Sequence, residues 1–234
     1  MLIHGAWHGA WCWKKIIPLL EKEGHKVVAP DLPWHGKDKK PITEITLQAY
    51  TDRVCQILDE QSEPVILVGH SMGGVVITQA AEYRPEKIKT LVYLSAFLLQ
   101  NGESLMMHGK PDSEALVLPN LIMAEDRSCA TVKKEALKEA FYTDCSDEDV
   151  EFARSQLVPE ATAPLNTLVC TTEDNFGRVP RVYISCSCDK AISPSVQEKM
   201  FKALPCKNVI TLDTSHSPFF SAPEELANQF LSIN

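Results

Sequence analysis

Pro64-Val65-Ile66-Leu67-Val68-Gly69-His70-Ser71-Met72-Gly73-Gly74 is the stretch from which the fold is read. Its first half is an uninterrupted apolar run, β-branched at Val65, Ile66 and Val68. That is the composition and length of a central parallel strand covered on both faces. Its second half matches G-x-S-x-G, and a helical stretch over residues 75–83 follows at once. The five-position pattern is weak alone. Between a buried strand and a helix it describes a sharp turn that lifts Ser71 above the carboxyl edge of a sheet. Gly69 and Gly73 relieve crowding in so tight a turn, and the helix start aims its free amides at an oxygen reacting there. Ser71 is the candidate nucleophile.

Outward from this point the chain alternates short apolar runs with amphipathic stretches, as βαβ units do. Toward the N-terminus lie a strand stub at Leu2-Ile3, a helix over residues 11–22 ended by Gly24, a short strand over 26–30 and a helix over 46–58. Toward the C-terminus a strand over 89–94 follows the elbow helix. The pattern then lapses over residues 101–176, where no central strand is legible. Residues 131–141 and a stretch capped by Ser146 read as helices, so this segment is expected to be an inserted helical lid. The pattern resumes with a strand over 179–186, a helix over 194–204, a strand over 208–212 and a last helix opened by Ser221-Ala222-Pro223-Glu224 at capping-box spacing. The expected architecture is α/β: a mostly parallel six-stranded sheet flanked by helices, with residues 1–100 and 177–234 as core and 101–176 as lid. The brevity of the first strand leaves room for a few residues ahead of Met1.

A serine hydroxyl needs a base, and seven histidines are available. His216 follows the last strand, where a loop can carry an imidazole over the carboxyl edge to Ser71. His25 lies at the opposite edge, His70 is expected to pack locally along the elbow, and His108 lies in the insertion. The acid that orients the imidazole should follow the penultimate strand, and Asp189 does. The order Ser71, Asp189, His216 suits this topology. Asp213 and Asp174 are the other carboxylates in range. An oxyanion site is expected from the backbone N–H groups of Ala6, after the first strand, and Met72, after the nucleophile. His4 reads as an organiser of that loop. Trp7 is expected to line an acyl pocket roofed by Leu116, Leu118, Leu121, Ile122 and Met123, with Phe141 contributing. Trp11 or Trp13 reads as core.

Composition removes several other classes. Of 234 residues, 44% are hydrophobic and 23% charged, which excludes a disordered or collagen-like chain. The net charge is −8 and there is no basic tract, which argues against a nucleic-acid groove or a polybasic membrane anchor. No apolar stretch approaches the roughly 20 residues of a membrane span, and no signal peptide is visible. The eight cysteines are few for a disulfide scaffold, and Cys186-Ser187-Cys188 is too closely spaced for a C-x-x-C site. Mostly free thiols and a cytoplasmic location are expected. No dinucleotide fingerprint or metal-ligand cluster is present, so no cofactor is expected. No feature separates a monomer from a homodimer.

His4-Gly5-Ala6-Trp7-His8-Gly9-Ala10-Trp11-Cys12-Trp13 together with residues 69–74 resembles the serine α/β-hydrolases, and within them the plant methylesterase and hydroxynitrile lyase group and small bacterial carboxylesterases, including pyrethroid hydrolases. The resemblance implies a serine carboxylesterase that hydrolyses a small, largely apolar ester through an acyl-enzyme, with water as co-substrate. The lyases of the group carry a threonine before the first oxyanion residue and a lysine after the catalytic histidine. This chain has Gly5 and Ser217 there, which argues against cyanohydrin cleavage. A hydroxynitrile lyase and a non-catalytic ligand-binding protein on the same scaffold are the alternatives.

Overall fold

The computed structural model describes residues 1–38 and 40–233. Its eight strands are β1 (Leu2–Ile3), β2 (Val65–His70), β3 (Ile88–Leu94), β4 (Leu121–Met123), β5 (Cys129–Val132), β6 (Glu160–Ala161), β7 (Arg181–Cys186) and β8 (Asn208–Leu212), counted among the described residues. Five of them form a parallel sheet in the order β1-β2-β3-β7-β8, and β4-β5-β6 form a small separate sheet. The apolar run that suggested a central strand is β2, with Val68 opposite Leu2 on one side and Val92 on the other.

The five parallel strands all point the same way. The residues after their ends therefore collect along one edge: Gly5-Ala6-Trp7 after β1, Ser71 after β2, Ser95 after β3, Asp189 after β7 and His216 after β8. This is the edge at which open parallel sheets place their sites.

Residues 26–30 do not become a sixth strand. They lie beside β1, where the Leu2 N–H reaches the Val28 carbonyl at 2.9 Å. Beyond that bond the two stretches form no ladder among the described residues.

The helices are α1 (Ile16–Lys22), α2 (Leu47–Asp59), α3 (Gly73–Tyr83), α4 (Leu105–Gly109), α5 (Leu137–Phe141), α6 (Asp147–Gln156), α7 (Thr162–Asn166), α8 (Pro194–Ala203), α9 (Pro218–Ser221) and α10 (Pro223–Ser232). Thr46 Oγ1 caps α2 by accepting from Ala49 N at 3.1 Å, and Ser146 Oγ caps α6 by accepting from Asp149 N at 3.2 Å. Two expectations fail locally. Residues 131–141 are not one helix: Thr131 and Val132 pair with β4, and only the stretch beyond Lys133 turns helical. Ser221 does not cap the last helix. It closes α9, and its hydroxyl has no partner while Pro223 opens α10.

The segment between β3 and β7 carries α4–α7 as well as the small antiparallel sheet, which the helical reading did not include. It is fastened to the rest of the chain at part-buried points. Trp34 Nε1 donates to the Pro159 carbonyl at 2.9 Å, and Lys15 Nζ reaches Asp149 Oδ2 at 2.7 Å. All eight cysteines are free thiols. No helix of the described residues is long and apolar enough to cross a membrane.

Candidate active site

Ser71 sits at the end of β2 with φ of +55°, in the left-handed region that a non-glycine residue enters only under constraint. Three backbone bonds hold it there. Its N–H donates to the Leu94 carbonyl at 3.3 Å, and its own carbonyl accepts from Gly74 N at 3.0 Å and Phe97 N at 3.1 Å. The peptide between Ser71 and Met72 is thereby fixed, and its N–H, that of Met72, points the other way. Ser71 itself is half-buried.

Asp189 and His216 meet as expected, with His216 Nδ1 donating to Asp189 Oδ2 at 2.8 Å. Both side chains are buried. Asp189 is held from four further directions. Oδ1 accepts from Ala191 N at 2.7 Å and Ile192 N at 3.0 Å. Oδ2 accepts from Gln197 Nε2 at 3.0 Å and from the Ser95 hydroxyl. Gln197 is fixed in turn, donating to the Ile192 carbonyl at 2.8 Å and accepting from Ser185 Oγ at 3.0 Å. A carboxylate met by donors on both oxygens cannot rotate, which suits it to orient an imidazole.

The histidine loop hangs on the elbow and on the lid. His70 Nε2 donates to the His216 carbonyl at 2.9 Å, so His70 is not packed only against its sequence neighbours. Burial, and then the neighbouring His216 and His8, hold His70 well below the usual histidine range, so it is neutral. From the lid, Asp144 Oδ2 accepts from Ser215 N at 2.8 Å, and its other oxygen takes the Ser215 hydroxyl. Asp213 turns outward instead, accepting from Ser187 Oγ at 2.7 Å, and His108 pairs with Glu103 at 2.9 Å within the lid.

The loop after β1 presses against the elbow. A Cβ on Gly5 would lie 2.8 Å from Ser71 Cβ and 3.0 Å from His70 Nδ1, so only glycine permits the approach. Two neutral histidines brace the loop. His4 Nδ1 donates to the Gly5 carbonyl at 2.9 Å while His4 Nε2 accepts from Leu32 N at 3.0 Å. His8 Nδ1 donates to the Ala6 carbonyl at 2.7 Å while His8 Nε2 accepts from Tyr142 OH at 2.7 Å. Burial is the main cause that lowers both, His8 to about 3. The Gly5 carbonyl and the Ala6 N–H belong to one peptide plane, so His4 sets the direction of that amide. Among the described residues neither the Ala6 nor the Met72 N–H is given to another group.

A narrow cavity of about 50 Å³ opens above Ser71, Ala6 and Met72. Trp7, Leu118, Leu121 and Phe141 line it as expected, with Phe141 packed 5.7 Å from the His216 ring. Phe97, Leu105, Val117 and Leu165 line it too, and nothing in their local sequence sets them apart from ordinary core. Ile122 and Met123 do not line it. They are 53% and 41% exposed, because β4 leads away from the cavity after Leu121. Ile122 faces a wider groove of about 840 Å³ on the other side of Trp7.

The model of the alpha/beta hydrolase family matches residues 1–229. The chain belongs to this family. Within it, the chain is 33% identical to Methylesterase 1 of Arabidopsis thaliana, over the whole of this chain and 94% of that protein. It is also 33% identical to a pyrethroid hydrolase of Sphingobium wenxiniae, over 97% of this chain and 84% of the other. Among solved structures, tomato methylketone synthase I complexed with 2-tridecanone superposes with a TM-score of 0.90 at 27% identity, covering 99% of this chain and 95% of that one. The hydrolase fold, with a mostly parallel sheet and inserted lid helices, is thus shared along nearly the full chain.

Proposed function

We propose that the protein is a serine carboxylesterase acting on a small, largely apolar carboxylic ester, with Ser71 as nucleophile, His216 as base, Asp189 as orienting acid, and the Ala6 and Met72 amides as oxyanion donors. An ester hydrolase of the serine type is what full-length similarity to methylesterases and a pyrethroid hydrolase supports. The observation that carries the reading is the strained Ser71 elbow at the floor of a narrow apolar cavity that Ala6 and Met72 also line.

In this reading His216 takes the Ser71 proton as the oxygen attacks the ester carbonyl. The developing oxyanion turns toward two amides whose peptide planes are already fixed, so little reorganisation is needed. Collapse, with His216 returning that proton to the leaving oxygen, releases the alcohol and leaves an acyl-enzyme. His216 then activates water, and hydrolysis restores Ser71. Position 5 has no room for the side chain that the lyases carry there, which favours hydrolysis over cyanohydrin cleavage. The cysteine usage that pointed to a reducing compartment supports a cytoplasmic enzyme.

A purified-enzyme panel of methyl, short acyl, aryl and pyrethroid-like esters, with a cyanohydrin included, tests the reading. Turnover of esters and none of the cyanohydrin is expected. Ser71→Ala should lose roughly 10⁴-fold or more of that turnover with its unfolding transition near wild type. Ester turnover retained by Ser71→Ala would overturn the assignment.

A further inference from the structure

Glu160 is fully buried, yet it lies in the lid and far from Asp189 in sequence. Its carboxylate meets three donors. Oε2 accepts from Trp7 N at 3.1 Å and from His35 Nε2 at 3.0 Å, and Oε1 accepts from Tyr50 OH at 2.8 Å. The other nitrogen of His35 faces the Pro33 carbonyl at 3.1 Å and so carries a proton. Although burial opposes a charge on His35, the charge and hydrogen bond of Glu160 raise it above the ordinary histidine value and favour the ion pair. The ion pair is neutral as a whole, so the carboxylate does not oppose negative charge forming nearby.

Trp7 is the residue that follows the oxyanion amide of Ala6. Its φ is +63°, a conformation that costs a bulky aromatic residue roughly 1–2 kcal/mol and relaxes unless held. The lid holds it at three atoms: Glu160 at its N–H, Val158 N at its carbonyl at 3.1 Å, and the Ala130 carbonyl at its indole Nε1 at 2.9 Å. The peptide between Ala6 and Trp7 is then gripped at both ends, by His8 on its carbonyl and by Glu160 on its N–H. The preceding peptide is gripped by His4. With both planes fixed, the two dihedral angles of Ala6 have no freedom left. Without the Glu160 bond the strained Trp7 backbone would relax and shift the Ala6 Cα, and the bonds from His4 and His8 alone would then resist movement of the Ala6 N–H away from the elbow.

We propose that Glu160 is a positioning residue for the chemical step: by holding the Trp7 N–H it keeps the Ala6 amide aimed at the site above Ser71. The lid then takes part in stabilising the transition state as well as in shaping the pocket. This rests on the esterase reading, and on Ala6 as an oxyanion donor in particular.

The test is steady-state kinetics of Glu160→Ala, Glu160→Asp and Glu160→Gln on a short p-nitrophenyl ester, beside wild type and Ser71→Ala. An interaction felt only in the transition state lowers kcat and leaves KM unchanged. Glu160→Ala should lose roughly tenfold or more in kcat with KM within about twofold of wild type. Glu160→Asp keeps the charge beside His35 but withdraws the oxygen by one methylene, and should lose kcat as well. Glu160→Gln keeps an acceptor for the Trp7 N–H and should recover most of the loss. A rise in KM at constant kcat, or equal loss in Glu160→Gln and Glu160→Ala, would overturn the proposal in favour of a purely structural carboxylate. If Glu160→Ala does not fold, the Asp and Gln pair decides between the same outcomes. Failure of the underlying reading looks different: wild type would then turn over no ester, or Ser71→Ala would match it.

Discussion

At the scale of single residues, the site depends on groups that never touch substrate. Asp189 Oδ2 accepts from His216, from Gln197 and from the Ser95 hydroxyl, so the position of the imidazole is set by residues on β3, β7 and α8 or at their ends. Ser95 is itself held with φ of +42°, its N–H bonded to the Ile184 carbonyl at 2.8 Å. Removing its hydroxyl leaves His216 and Gln197 in place but loosens the carboxylate they share. Ser95→Ala should therefore lower kcat roughly three- to tenfold with little change in KM, read from Michaelis–Menten curves. Unchanged kcat would show that the remaining donors suffice. Ser71 carries a different cost. Its left-handed backbone is natural for glycine, so Ser71→Gly should abolish turnover yet raise unfolding stability by roughly 0.5–1 kcal/mol, measured by urea denaturation. A stability loss in that variant would mean that the elbow is not strained.

At the scale of elements, the elbow is tight because α3 begins against the chain leaving β3. A Cβ on Gly74 would come within 2.5 Å of the Phe97 carbonyl oxygen and 2.9 Å of Ala96 Cβ. Backbone cannot yield there as a flexible side chain would. Gly74→Ala should destabilise the fold by about 1–3 kcal/mol and lower turnover together with it, visible as a shift in the urea midpoint. This element was legible in the sequence because its signals are local: an apolar β-branched run, glycines at the turn, and a helix directly behind. The order of Ser71, Asp189 and His216 was legible for a related reason, since parallel strands deliver their following loops to one edge. The lid was harder to read. Thr131 and Val132 look like the start of a helix, and only their pairing with Ile122 and Leu121 makes them strand. Apolar character alone did not say which way Ile122 and Met123 face. Glu160 carries no local mark, since its meaning comes from His35 and Tyr50, more than 100 positions away.

At the scale of the whole molecule, four buried histidines tie the loops of the catalytic edge together, and they respond to pH in opposite ways. His4, His8 and His70 are held neutral, mainly by burial, and His8 titrates only at about 3. Burial also disfavours the charge on His35, but the charge and hydrogen bond of Glu160 outweigh it and raise His35 above the ordinary value. The unfolded chain takes up a proton on each neutral histidine as pH falls below about 6.5, and the folded chain does not. Each of the three then removes about 1.4 kcal/mol of stability per pH unit, or about 4 kcal/mol per unit together. His35 adds nothing to that acid slope, because below about 6.5 it is protonated in both states. Its contribution is full there and is lost as pH rises through its raised folded value. A total stability of roughly 5–15 kcal/mol leaves little margin against such a slope. Urea unfolding followed from about pH 7 to about pH 5 should show a steep loss, and His8→Gln should flatten it by about 1.4 kcal/mol per pH unit whatever its absolute stability. An identical slope in that variant would mean that His8 is protonated in the folded protein, with Tyr142 accepting rather than donating.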